Sequence, residues 1–131
     1  MKSLIRLTDL KPSEIYDIFR ISDEIQCGKY IDILKGKSVI LFFPNSSIRT
    51  RVTFEKGIHL LEGQPILFQN EALDKKEDLR DVCGYLNNWA DVVVVRHRNI
   101  HILEQLAEYS RVPVINAMTD VNHPCEILTD M

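Results

Sequence analysis

Two short runs, Ser38-Val-Ile-Leu-Phe-Phe43 and Asp91-Val-Val-Val-Val-Arg96, are apolar throughout their interiors and rich in β-branched and aromatic residues. A strand with one wet face alternates polar and apolar residues. An unbroken apolar run of this length instead marks a strand covered on both faces, as in a parallel sheet sandwiched between helices. These two runs therefore set the expected class, and the rest of the chain is read around them.

Between and beside them the pattern changes to helical spacing. Asp9 to Gly28 opens with Lys11-Pro12-Ser13-Glu14 and places Ile15, Ile18, Phe19, Ser22 and Ile25 on one face, predicting an amphipathic surface helix. After the first strand and the polar turn Pro44-Asn45-Ser46-Ser47, Val52, Phe54, Ile58 and Leu61 fit one side of a helix from Arg49 to Leu61 that ends before Gly63. Gln64 to Phe68 reads as a second strand, and Lys76 to Trp89 as a helix with Leu79, Val82, Cys83 and Leu86 inward. Ile100 to Ser110 is a further helix, Val112 to Asn116 a fourth strand, and His123-Pro124 the opening of a last helix. Strands alternating with helices predict an α/β domain: an open, mainly parallel four-stranded sheet flanked by helices, a Rossmann-like three-layer arrangement. The loop from Gln69 to Lys75 is the one sizeable polar insertion and a candidate mobile element.

A chain of 131 residues is one domain's length, and it stops soon after the last helix opens, which suggests a truncated protein. Hydrophobic residues at 45% and charged residues at 27% match an ordinary folded protein. The formal net charge of −3 argues against nucleic acid as a partner, and any anion site must come from local placement of arginines. Cys27, Cys83 and Cys125 are odd in number and lack a CxxC pair, which disfavours both a disulfide framework and a zinc site. A reducing cytoplasm fits this usage. Charges interrupt every apolar run near the N-terminus, so neither a signal peptide nor a membrane span is expected.

Open parallel sheets bind ligands outside the carboxyl ends of their strands. After the first strand comes Ser47-Ile48-Arg49-Thr50-Arg51, which puts hydroxyls, guanidinium groups and unpaired backbone N–H groups at a helix start. Such a terminus attracts anions, and arginine forks match phosphate oxygens. The same segment also reads as a helix cap with two solvated arginines. Arg96 closes the valine-rich strand at the same sheet edge. His123-Pro124-Cys125-Glu126 follows the fourth strand, where a histidine can donate to a developing oxyanion or simply bond to nearby backbone.

Taken together, these residues resemble a known family. Ser47-Ile48-Arg49-Thr50-Arg51 is similar to the Ser-x-Arg-Thr-Arg signature of aspartate and ornithine carbamoyltransferases, and His123-Pro124-Cys125-Glu126 to their His-Pro-x-Gln signature. Asp91 to His97, Val112 to Asn116 with Thr119-Asp120, and Ile127 to Asp130 extend the likeness over nearly the whole chain. The resemblance implies a subunit of two domains assembled as a homotrimer, with residues 1–131 as the carbamoyl-phosphate-binding domain and the acceptor-binding domain absent. It implies that Ser47, Ile48, Arg49, Thr50 and Arg51 hold the phosphate, while Thr50, Arg96 and His123 act at the carbamoyl oxygen. Transfer to an amine then needs no metal or cofactor, since fixed donors stabilise both the oxyanion and the departing phosphate. Ornithine is the preferred acceptor, because His-Pro-Cys resembles ornithine-type enzymes more than aspartate-type ones. Putrescine, acetylated ornithine, aspartate and an unassigned amine remain alternatives.

Three positions depart from the family pattern. Ile48 stands where threonine is frequent. Lys75-Lys76-Glu77-Asp78 lies where aspartate-type relatives send a lysine into the neighbouring site, so Lys75 is either that lysine or a solvated charge. Glu126 replaces the glutamine expected to meet the carbamoyl amino group, and a carboxylate can accept those N–H bonds but cannot donate. Glu126 therefore implies either a displaced side chain or an altered substrate preference. Cys125 lacks an arranged base and reads as a structural or substrate-facing thiol. A second class of function is a phosphate or phosphometabolite-binding module without catalysis, and the isolated chain is expected to be inactive in transfer. Nucleotide binding is set aside because neither GxxxxGK[ST] nor GxGxxG follows the first strand.

Overall fold

A computed structural model describes residues 2–75 and 78–131. Its centre is a four-stranded sheet of β1 (Ser38–Phe43), β2 (Gln64–Gln69), β3 (Val92–Arg96) and β4 (Val114–Met118), ordered β2-β1-β3-β4, with every pair parallel. Around it stand α1 (Pro12–Gln26), α2 (Arg49–Leu60), α3 (Leu79–Leu86), α4 (Ile100–Tyr109) and the short α5 (Pro124–Asp130). The expected α/β class and the parallel sheet are both present.

The two apolar runs are buried on both faces, for the reason their sequence suggested. Successive side chains of a strand point to opposite faces, so Ile40, Phe42, Val93 and Val95 share one core with Cys83 and Leu86 of α3 and Leu103 and Leu106 of α4. Val39, Leu41, Phe43 and Val94 share the opposite core with Ile58 of α2. Val52, expected on the inner face of α2, is instead 58% exposed, and Ser22 of α1 is also exposed.

Several boundaries differ from expectation, among them the end of α3, at Leu86 and not Trp89. β4 begins at Val114, two residues late, because Pro113 has no N–H to give the ladder; only its carbonyl takes part, accepting from Val93 N at 3.0 Å. Residues 70–74, expected as a polar loop, form a 3₁₀ turn (Asn70–Asp74) whose Leu73 is buried at 3% exposure. The helix expected from Lys76 starts at Leu79, after the N-cap Asp78; Lys76 and Glu77 lie outside the described residues. The N-terminal segment adds a contact no pattern announced. Leu4 bridges in parallel to Ile115, donating its N–H to Val114 O at 2.9 Å and accepting from Asn116 N at 2.8 Å.

Candidate functional site

From β1 the chain runs to β2 on one side, while β3 lies on the other, so the strand order reverses between β1 and β3. That reversal leaves a crevice outside the carboxyl ends of the strands. Ser47 follows β1 and Arg96 ends β3, and the two meet across the crevice: Arg96 Nη1 donates to Ser47 Oγ at 2.7 Å. Ser47 is 2% exposed. Its hydroxyl is thus committed to a guanidinium from a strand 49 residues away, and the simple helix-cap reading of this serine does not hold.

No side chain caps α2 among the described residues, where Ile48 occupies the N-cap, and there is no acidic residue in its first turn. Val52 N is the first to close a helical turn here, onto Ile48 O at 3.0 Å. The N–H groups of Arg49, Thr50 and Arg51 therefore sit at the positive end of the helix dipole. That field disfavours cations, yet Arg49 and Arg51 are both placed in it. Two guanidinium groups at an uncapped N-terminus weaken a helix on its own and make sense with an anion between them.

A cavity of about 320 Å³ is lined by Ser46, Ser47, Ile48, Arg49, Thr50 and Arg96. A second, of about 400 Å³, shares Ser46 and Arg96 and extends under the Asn70–Asp74 turn to His97 and Asp120. The structure thus brings together Ser47, Ile48, Arg49, Thr50 and Arg96. Among the described residues, neither cavity is lined by Arg51, His123, Glu126 or Lys75.

His123 is half-buried at the N-cap of α5, where its Nδ1 accepts from Glu126 N at 3.4 Å. With Nδ1 accepting, the ring proton belongs on Nε2, which is left free to donate. The backbone-bonding reading and the oxyanion-donor reading of this histidine are therefore compatible. Glu126 and Lys75 are exposed. Cys125 lies within reach of Asn116 O, at 3.4 Å, and burial pushes its thiol pKa up, away from the thiolate a nucleophile would need.

Sequence reasoning missed the layer behind Arg96. Asn70 Nδ2 donates to Arg96 O at 2.9 Å, and His97, 8% exposed, bonds through Nε2 to Asp74 Oδ1 at 2.7 Å. The signal was present as a histidine directly after a strand arginine, but a single histidine in an otherwise ordinary string specifies no partner. The loop holding His123 is tied similarly: Asn116 Nδ2 and Asn122 Nδ2 both donate to Ile5 O, at 2.9 and 3.0 Å.

The family description "aspartate/ornithine carbamoyltransferase, carbamoyl-P binding domain" matches residues 2–131. The chain belongs to this family. Among curated carbamoyltransferases it is 35% identical over 134 residues to the ornithine carbamoyltransferase of Moritella profunda, an alignment covering 99% of this chain and 44% of that protein. The ornithine carbamoyltransferase structure from Thermus thermophilus superposes with a TM-score of 0.90 at 28% identity, covering 99% of this chain and 46% of that one. A structure of N-acetyl-L-ornithine transcarbamylase in complex with carbamyl phosphate and N-succinyl-L-norvaline gives 0.89 at 28% identity, with 99% and 46% covered. The chain therefore spans a little under half the length of these carbamoyltransferases.

Proposed function

We propose that the crevice binds carbamoyl phosphate and that the protein containing this domain transfers the carbamoyl group to an amine, with ornithine as the preferred acceptor. The observation that carries the reading is the 2.7 Å bond from Arg96 to the buried Ser47, which joins both sides of the sheet's reversal point beside an uncapped, doubly arginine-bearing helix start. In this reading the phosphate sits on the first-turn N–H groups of α2 between Ser47, Arg49, Thr50 and Arg51. The carbamoyl oxygen faces Thr50, Arg96 and the Nε2–H of His123. The amine nitrogen attacks the carbonyl carbon, charge grows on the oxygen, and the C–O bond to phosphate breaks; donors fixed in advance stabilise both charges. Acceptor recognition falls to parts of the protein outside this domain. Assembly as a homotrimer in a reducing cytoplasm, with Lys75 reaching a neighbouring site, belongs to the same proposal.

Calorimetric titration of carbamoyl phosphate into the chain tests it, with inorganic phosphate as competitor. Binding is expected that phosphate displaces and that Arg49→Ala weakens by about tenfold or more, the usual scale for a lost charged hydrogen bond. Binding indifferent to Arg49 and to phosphate overturns the reading. Glu126 favours one alternative, a phosphometabolite-binding module without catalysis, since an exposed carboxylate cannot donate where the family's glutamine is expected to meet the carbamoyl group. On that alternative the domain binds carbamoyl phosphate while the protein carrying it carbamoylates no amine, and Glu126→Gln does not restore turnover.

A further inference from the structure

His97 lies directly beyond Arg96, and its surroundings fix its ring. Asn99 N donates to Nδ1 at 3.0 Å, so Nδ1 carries the lone pair and the proton is on Nε2, pointed at Asp74 Oδ1 at 2.7 Å. The backbone is held as well, His97 N donating to Met118 O at 3.1 Å. Asp74 ends the Asn70–Asp74 turn, and Asn70 at its start bonds Arg96 O at 2.9 Å. Between these two clamps Leu73 is buried in the core. The turn is thus fastened at both ends to consecutive residues, Arg96 at the end of β3 and His97 directly after it.

The strand itself is irregular at the same point. Val95 faces Asn116 but Arg96 faces Met118, a register shift of the kind that re-aims a side chain next to a site. An arginine after such a break has several directions open to it. The one it takes is toward Ser47, while the turn holds the arginine's backbone carbonyl through Asn70.

We infer that His97 is a positioning residue: with Asp74 it latches the Asn70–Asp74 turn to the end of β3 and thereby aims Arg96 across the crevice. The consequence for binding rests on the reading that Arg96 meets the carbamoyl oxygen while the phosphate is held by the helix start. Loss of the latch then weakens carbamoyl phosphate more than inorganic phosphate.

The test compares the affinities of the two ligands in the unaltered chain and in His97→Ala, His97→Gln and Asp74→Ala. Glutamine keeps an N–H donor near the position of Nε2, and Asp74 is 56% exposed, so its substitution leaves the core intact even if His97→Ala folds poorly. In His97→Ala and Asp74→Ala, carbamoyl phosphate affinity is expected to fall on the order of tenfold, a typical cost for a displaced polar group, with phosphate affinity within about threefold of the unaltered chain. His97→Gln is expected to recover most of the loss. Equal weakening of both ligands, no weakening of either, or a glutamine variant no better than alanine overturns the inference. Guanidinium NMR of Arg96 separates this result from a failure of the ligand assignment. Rotation of the group is expected to be slow in the unaltered chain and in His97→Gln, and fast in His97→Ala, whether or not carbamoyl phosphate binds. Unchanged rotation in His97→Ala removes the latch.

Discussion

Gly63 has no strained backbone, yet it is the glycine this fold can least replace. A Cβ built there meets Ile58 Cγ2 and Leu34 Cβ at 2.9 Å each, both side chains packed in or against the core on the α2 face. Neither is the loose end of a flexible chain, so Gly63→Ala forces the α2–β2 connection apart and is expected to cost about 1–3 kcal/mol, the range for overpacked cores. Gly57 is the opposite case. It lies inside α2 with nothing within 4 Å of an added Cβ, and Gly57→Ala is expected to raise stability by about 0.5–1 kcal/mol through helix propensity alone. Urea unfolding of the two variants measures this directly, and midpoints moving in opposite directions are the expected result.

At the scale of elements, α2 and α3 differ in how they begin: α2 has no side-chain cap and α3 has one. α3 begins with Asp78 in extended conformation, its carboxylate accepting from Arg80 N at 2.9 Å, while the Arg80 guanidinium lies 5.0 Å from the Tyr109 ring of α4. Asp78→Ala is therefore expected to lower the unfolding free energy by about 1 kcal/mol, as N-cap deletions do, without touching the crevice. Thermal or urea unfolding checks it, and an unchanged midpoint would mean that the cap contributes nothing. β1 and β3 were legible because an unbroken apolar run admits few other environments, and the grouping of Ser47 to Thr50 along one cavity because those residues are consecutive. What escaped is long-range and carried by single residues. Leu73, buried between the Asn70 and Asp74 bonds, helps turn the 70–74 segment from a polar loop into an anchored turn, and the Asp74–His97 pair spans 23 positions with no spacing rule to announce it. The fourth strand was displaced for a local reason, the missing amide of Pro113, that the apolar run around it concealed.

On the scale of the whole molecule, the sheet has two edges and treats them differently. Among the described residues nothing pairs with the outer edge of β2, whereas β4 is bordered by the N-terminal segment. There Ser3 Oγ accepts from Val114 N at 2.9 Å, Leu4 pairs with the strand, and Ile5 is 5% exposed within the core on the α3–α4 face. Ile5 O also receives both asparagine amides that fasten the loop before His123. One segment thus closes a sheet edge, fills the core and steadies part of the crevice rim. Removing residues 2–5 uncovers the edge of β4, strips a buried isoleucine worth about 1.5–3 kcal/mol, and unpairs several backbone groups at about 1 kcal/mol each. Some of that loss is offset because the segment no longer has to be ordered. A net destabilisation on the order of 3 kcal/mol is expected in urea unfolding, with faster aggregation from the bare edge. Ile5→Val separates the contributions. It keeps every backbone bond and loses one methylene, so a cost of about 1 kcal/mol with no added aggregation is expected if the edge pairing matters as argued. Deletion and Ile5→Val behaving alike would reduce the segment's role to filling the core.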